Sequence, residues 1–312
     1  MSRVAVLIPC YNEELTIKKV INDFRHELPD ADIYVYDNNS KDRTNEIATK
    51  EGAIVRKEVL QGKGNVIRSM FMDVDADVYI MVDGDDTYPA DEVHKLIAAV
   101  EDGYDMVIGD RLSNGTYAKE NKRGFHGFGN SLVRNLINSL FNANVHDVMT
   151  GYRGFSKRMV KTMPVMSPGF QIETEMTAFC LANRLKIVEI PIIYRDRPEG
   201  SFSKLNTFRD GFRVLVTLFD LAKDYRPLLF FGLISFVTLF LGLIIGIPVL
   251  VEFSATHFIT KVPSAILASS LVVVAIIMFA VAIILDSLKN NSERLYQYQL
   301  LNFSNIKDHK NA

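Results

Sequence analysis

Tryptophan is absent from the 312 residues, and only two cysteines occur, Cys10 and Cys180. Two thiols exclude a disulfide framework and a zinc site built from four cysteines; they suit small, reduced, buried side chains. An excess of one charge is also missing. Lys and Arg number 35 against 37 Asp and Glu, a net charge of −2. Nucleic-acid binding usually leaves a basic footprint, so no nucleic-acid partner is expected. No Gly-x-Gly-x-x-Gly follows the first apolar run and no Walker sequence occurs, which argues against a Rossmann dinucleotide site and a P-loop ATPase. A secretory signal is not expected, because Val4–Ile8 is short and ends at Pro9.

What the chain does have is one long apolar region. Residues 227–285 carry only two charged side chains, Glu252 and Lys261. As helices, Leu228–Val251 would extend about 36 Å and Ser264–Leu285 about 33 Å, against a hydrocarbon core of about 30 Å. Neither contains an ionisable residue, so no ion path through them is expected. Arg209, Arg213, Lys223, Arg226, Lys289 and Arg294 flank the outer ends, against Lys261 alone between the two. The positive-inside rule then places the large domain and both termini in the cytoplasm. Just upstream, Phe208, Phe212, Leu215, Val216, Phe219 and Ala222 share one helical face, as in an amphipathic helix lying in a membrane interface.

The first two hundred residues alternate apolar runs with helical periodicity. Strands are expected at Arg3–Ile8, Ile33–Asp37, Ala53–Arg56, Val78–Asp83, Met106–Gly109 and 186–191, with helices between them. That order predicts an α/β fold with a mainly parallel sheet, flanking helices and a ligand at the strands' carboxyl ends. The expected boundaries are a folded domain over 1–205, an interfacial helix over 206–227, a two-span hairpin over 228–285 and a tail over 286–312.

The strand ends carry chemistry. Asp83-Gly84-Asp85 offers two hard carboxylate donors suited to Mg²⁺ or Mn²⁺ against a diphosphate, or a plain strand-end turn. Asp37 ends the second strand, where an acid commonly meets a ribose or base, or forms an Asx-turn. Gln61-Gly62-Lys63-Gly64 opens a helix, a natural phosphate locus or a glycine turn. Glu173 and Glu175 form a second acidic pair at a helix start, where they could assist chemistry or simply suit the macrodipole.

The order of these pieces, with Val6-Leu7-Ile8-Pro9-Cys10-Tyr11-Asn12-Glu13-Glu14 at the front, resembles family 2 glycosyltransferases of the GT-A fold. Asp147 through Arg153, Arg195-Asp196-Arg197 and Gly200 through Leu205, with the C-terminal hairpin, resemble the polyprenyl-phosphate glycosyltransferase branch, which includes dolichyl-phosphate mannose synthase. The resemblance implies that Pro9, Tyr11, Asn12, Glu13, Asp37 and Lys63 surround the nucleotide sugar. Asp83, Gly84 and Asp85 would hold the metal and diphosphate, and Arg197 and Lys204 would close over them. Arg111 and Arg123 would grip the lipid phosphate. Asp147 would stand where the family places its base; it could equally orient the nucleophile or position Arg153. A phosphate monoester has a second pKa of about 6, so the acceptor hardly needs a strong base.

The implied activity is inverting transfer of one sugar, from a UDP-hexose, to undecaprenyl or dolichyl phosphate. The partners are the donor, the lipid and the bilayer, with self-association. Processive family members carry Gln-x-x-Arg-Trp, which a chain without tryptophan cannot supply. Thr87 stands where mannose synthases often place Gln, which weakens any transfer of mannose or GDP specificity. The alternatives are a membrane-anchored family 2 enzyme acting on a glycan or lipid-linked saccharide, and a nucleotide-sugar sensor without turnover.

Overall fold

The computed structural model describes residues 2–113, 124–198 and 216–311 apart from 218, with the side chains of 124–128 and 304–311 excepted. Arg123, Lys204 and the first part of the expected interfacial helix lie outside the described residues. The chain divides into two compact units, Met1–Leu215 with Asn302–Ala312, and Val216–Leu301.

The first unit is built on β1 (Val4–Cys10), α1 (Ile17–Glu27), β2 (Asp32–Asp37), α2 (Thr44–Lys50), β3 (Ile54–Lys57), α3 (Lys63–Asp73) and β4 (Val78–Met81). It continues with α4 (Val93–Glu101), β5 (Met106–Asp110), α5 (Gly124–Phe141), β6 (Arg153–Ser156), α6 (Lys157–Thr162), α7 (Ile172–Ala182) and β7 (Ile187–Pro191). The seven strands form one sheet in the order β3-β2-β1-β4-β6-β5-β7. All neighbours are parallel except β6, which runs antiparallel to both β4 and β5.

The continuous apolar runs of β1 and β4 reflect burial on both faces, as parallel sheets require. Val6, Ile8, Ile33, Val35 and Ile80 pack in one core with Ile17, Val20, Ile21 and Phe24 of α1 and Val93, Leu96 and Val100 of α4. The helical residues recur at the spacing of an amphipathic stripe, and that stripe is what seats each helix on the sheet. The alternate strand residues Leu7, Tyr36, Tyr79 and Met81 are buried too.

The sequence pattern missed β6. It is four residues long and opens on Arg153, which no apolar periodicity marks. Arg153 is fully buried, and its guanidinium is satisfied by the Thr150 carbonyl at 3.0 Å, the Val148 carbonyl at 2.6 Å and Thr177 Oγ1 at 3.0 Å. Burial lowers its pKa, opposed by the charges of Glu173 and Asp147. Burying such a side chain is tolerated because two neighbouring carbonyls and Thr177 satisfy it.

Tyr152, next to it, has the one buried side-chain oxygen without a hydrogen bond among the described residues. Its ring packs against Phe24 and Tyr88, with centroids at 6.2 and 5.4 Å. Removing an unsatisfied hydroxyl while keeping the ring leaves the packing intact. Tyr152→Phe is therefore expected to leave Tm unchanged or raised in thermal denaturation; a clear fall would mean the hydroxyl has a partner.

The second unit carries α8 (Pro227–Thr256) and, as far as Leu301, α9 (Val262–Asn311). Two apolar segments, Pro227–Thr256 and Val262–Phe303, reach mean hydropathies of 2.7 and 2.9, and both are long and apolar enough to cross a membrane. Ser235, Gly242 and Val249, seven apart on α8, face Ala268, Ala275 and Ala282, seven apart on α9. Ser235, Val249 and the three alanines are buried, and a Cβ on Gly242 would meet Leu271 and Val272 at 3.2 and 3.3 Å. Small side chains let the two backbones approach, and Ser235 Oγ donates to the Ala275 carbonyl at 2.7 Å.

Candidate active site

Parallel strands β1, β2, β4, β5 and β7 present their carboxyl ends at one edge, and antiparallel β6 presents its amino end there. The site residues collect along this edge because each follows or precedes one of those ends.

The first part joins the loops after β1 and β2. Asn12, in the left-handed region at φ 55°, accepts from Lys41 N at 2.7 Å and donates its own N–H to Ser40 Oγ at 2.9 Å. Glu13 N donates to Thr44 Oγ1 at 2.8 Å and Glu14 N to Asp42 Oδ2 at 3.1 Å. Burial pushes the Asp42 carboxyl up, but the Thr44 hydroxyl and the backbone N–H groups outweigh it and hold the pKa low. Asp37 is buried and its side chain accepts the Ser40 N–H at 3.0 Å. Asn12 thus serves to fix the loop that carries Tyr11 and Glu13, following Pro9 near the end of β1, beside Asp37.

The second part is the turn after β4, which ends at Met81 and leaves Asp83-Gly84-Asp85 beyond the strand. Gly84 is held against β1: a Cβ there would meet Cys10 Sγ at 2.7 Å, and its carbonyl accepts Thr16 Oγ1 at 2.7 Å. Asp83 receives Lys63 Nζ at 2.5 Å, and the same ammonium lies 2.6 Å from Glu173. Burial pulls Lys63 down, but the two carboxylates reverse this and hold it firmly protonated. Asp85 is buried, takes Thr87 Oγ1 at 2.7 Å, and is ion-paired with Arg197. Arg195 N donates to the Thr87 carbonyl at 2.9 Å, which brings the segment bearing Arg197 to this turn. Burial and the neighbouring Asp83 charge push Asp85 up, opposed by Arg197.

Among the described residues no three His, Cys, Asp or Glu side chains converge as a closed metal cage. Two carboxylates are nonetheless the right donor set for a hard divalent cation that takes its other ligands from phosphate oxygens and water. Asp83 is paired here with Lys63 and Asp85 with Arg197; the donor chemistry of the two carboxylates fits such an ion, which would share them with these cations.

The helix start expected to meet phosphate is already filled. Gly64 N and Asn65 N donate to the Pro168 carbonyl at 3.0 and 3.4 Å, and a Cβ at Gly64 would meet Ser167 O at 1.8 Å. The glycines of this segment therefore admit another loop of the protein; Lys63 reaches the site through its side chain instead. Glu175 supports that same loop, accepting Met166 N and Ser167 N at 2.8 and 2.7 Å, whereas Glu173 stays with Lys63.

The third part lies after β5. Arg111 donates to Asp147 through Nε at 2.8 Å and Nη2 at 2.9 Å, and its backbone N–H adds a third bond at 3.1 Å. Both side chains are buried, and the guanidinium lies 5.7 Å from the Tyr194 ring. Asp147 positions Arg111, and Arg153 is held by other groups. Tyr88 joins this part to the second: its oxygen accepts Gly151 N at 3.1 Å and lies 3.4 Å from Arg111 Nη1, and burial pushes its pKa up to about 12. Pattern reading gave no sign of Tyr88. Glu189, also missed, stands as a lone acid in the apolar run Ile187–Pro191, a signal that could have found it.

Gly151 closes the gap between the two parts. A Cβ at this position would fall 2.2 Å from Asp83 Oδ2. Gly151→Ala is expected to displace the Asp83 carboxylate and lower kcat/KM about a hundredfold, the scale of small misplacements in a catalytic site. Steady-state kinetics beside a melting curve checks this, and wild-type kinetics would contradict it.

A mainly parallel sheet with one strand reversed and an acidic pair at its carboxyl edge is the architecture of the GT-A fold. Glucosyl-3-phosphoglycerate synthase from Mycobacterium tuberculosis, solved with Mn²⁺, uridine-diphosphate and glucosyl-3-phosphoglycerate, shares this fold at TM-score 0.56 and 22% identity, over 70% of this chain and 80% of that one. The chain belongs to glycosyl transferase family 2, whose family model matches residues 5–163. It is similar to glycosyltransferase AglJ of Haloferax volcanii, with 34% identity over 89% of this chain and 91% of the relative. It is also similar to a dolichyl-phosphate hexose transferase of the same organism, with 32% identity over 67% and 89%. A polyprenol monophosphomannose synthase of Mycolicibacterium smegmatis matches at 24% identity over 64% and 79%.

Proposed function

We propose that this glycosyltransferase moves a single hexose from a UDP-sugar to polyprenyl phosphate at the cytoplasmic face of a membrane, with inversion at the anomeric carbon. The observation that carries the reading is the pairing, along one sheet edge, of an acidic turn with a buried Arg111–Asp147 pair, in a chain with two membrane-length apolar helices. Relatives named for dolichyl-phosphate hexose transfer and polyprenol monophosphomannose synthesis support the acceptor class.

Pro9 near the end of β1 and the loop carrying Tyr11, Asn12 and Glu13, together with Asp37, hold the nucleoside. Asp83 and Asp85 would hold Mg²⁺ or Mn²⁺, which when bound draws off charge accumulating on the departing nucleoside diphosphate. Lys63, Arg197 and Lys204 add positive charge around that diphosphate. Arg111 and Arg123 hold the acceptor phosphate so that one of its oxygens attacks the anomeric carbon from the face opposite the leaving group. Arg is suited to this because its planar fork meets phosphate oxygens in pairs. Both oxygens of Asp147 are already taken by Arg111, so Asp147 acts as an orienting group and the acceptor's own ionisation supplies the nucleophile. Positioning and fixed charge can supply much of the barrier lowering in such a transfer.

The domain over 1–205 and both termini lie in the cytoplasm, with the hairpin over 228–285 as anchor and 286–312 as tail. Exposed Val216 and Phe219 support an interfacial role for 206–227. The chain works as a homo-oligomer. A donor panel tests the reading: UDP- and GDP-hexoses are offered to the purified protein with undecaprenyl or dolichyl phosphate, with and without EDTA. The expected result is a polyprenyl-phosphate-linked hexose, with release of UDP, formed from a UDP-hexose and abolished by EDTA. Preference for a GDP-sugar, or turnover in EDTA, would overturn the donor or the metal assignment.

A further inference from the structure

Glu189 sits in mid-strand on β7, in register with Ile108 of β5. Its neighbours Ile187, Val188 and Ile190 are apolar, and strand pairing uses only the backbone, so neither the sheet nor the core asks for an acid here. Its carboxylate instead reaches the turn that precedes β6. The His146 N–H donates to both of its oxygens at 2.9 Å, and the Asp147 N–H donates to Oε1 at 2.9 Å. The residue before is fixed from another side, by Asn138 of α5, which exchanges two bonds with the Val145 backbone at 2.9 and 3.0 Å. Directly beyond the clamped N–H groups is the Asp147 carboxylate that receives Arg111 through two side-chain bonds and one backbone bond.

We infer that Glu189 is a positioning residue for the acceptor: by clamping the backbone of His146 and Asp147 it fixes the Asp147 carboxylate, and through it the plane of the Arg111 guanidinium. A side-on carboxylate–guanidinium pair is directional, so a turn free to shift would let the fork rotate away from a bound phosphate. Even partly burying a carboxylate on an apolar strand is costly unless its oxygens are satisfied, and here backbone N–H groups of that turn bond to them. The inference rests on the proposed role of Arg111 at the acceptor phosphate.

The test uses the full chain in detergent or nanodiscs, with Glu189→Ala and the gentler Glu189→Gln. Amide hydrogen exchange reads the clamp without any substrate, and it should quicken at His146 and Asp147 in both variants. The KM for polyprenyl phosphate should rise about tenfold in Glu189→Ala and less in Glu189→Gln, with donor KM and UDP affinity unmoved. In an Arg111→Ala background, Glu189→Ala should add nothing, because residues acting through one another are not additive. Unchanged exchange at the two amides would overturn the clamp. Faster exchange with an unmoved acceptor KM, where Arg111→Ala does raise that KM, would overturn the positioning role. If Arg111→Ala also leaves the acceptor KM unmoved, the failure belongs to the proposed role of Arg111.

Discussion

Replacing Asp85 with asparagine is expected to lower kcat/KM for sugar transfer about a thousandfold, on the order of 4 kcal/mol of transition-state stabilisation. The substitution keeps the shape, and an amide oxygen can still accept from Thr87 Oγ1, which lies 2.7 Å from Asp85. What it removes is one of the two negative charges, Asp83 and Asp85, proposed to hold the cation. Arg197 loses its ion-pair partner, and the turn loses half of its capacity for a divalent cation. Mn²⁺ binding without donor should weaken in parallel with turnover. Asp85→Asn with wild-type kinetics would remove Asp85 from the proposed donor site altogether.

Arg111→Lys is expected to cost about a hundredfold in kcat/KM for the lipid acceptor while leaving UDP affinity unchanged. Lysine keeps the charge but has no planar fork, so it cannot meet both Asp147 oxygens and a phosphate in one plane. Asp147→Asn should behave similarly, because it leaves the buried Arg111 without its counter-charge. The double variant should be little worse than either single one if the two act as a unit. A catalytic base would behave differently: Asp147→Asn would then suppress kcat strongly while Arg111→Lys moved mainly KM. Acceptor titrations on the three variants separate the two cases.

Much of this was legible in the chain. Apolar runs ending in Asp37 and Asp83 revealed both the sheet and the edge where ligands collect, because a parallel strand buried on both faces has a composition no surface segment shares. The alternation of strands and helices carried the fold class, and the charge-poor stretch over 227–285 carried the paired apolar helices. What escaped was set by tertiary contact. β6 is four residues opening on a buried arginine, held by the nearby Thr150 and Val148 carbonyls and by Thr177 of α7, a combination no apolar pattern marks. Gly62 and Gly64 looked like a phosphate cradle, yet they make room for the 167–168 backbone, since a glycine reveals close approach but not what approaches. Asp147 and Arg111 stand 36 residues apart, and no spacing rule could pair them.

The central claim, that a lipid phosphate is the acceptor, is tested most directly with one purified preparation and one labelled UDP-hexose. Three acceptors are offered: polyprenyl phosphate, the same lipid as the free alcohol, and a lipid-diphosphate-linked saccharide. The account predicts labelled lipid product from the monophosphate alone, and its loss in Arg111→Lys. Extension of the saccharide with no product from the monophosphate would contradict it.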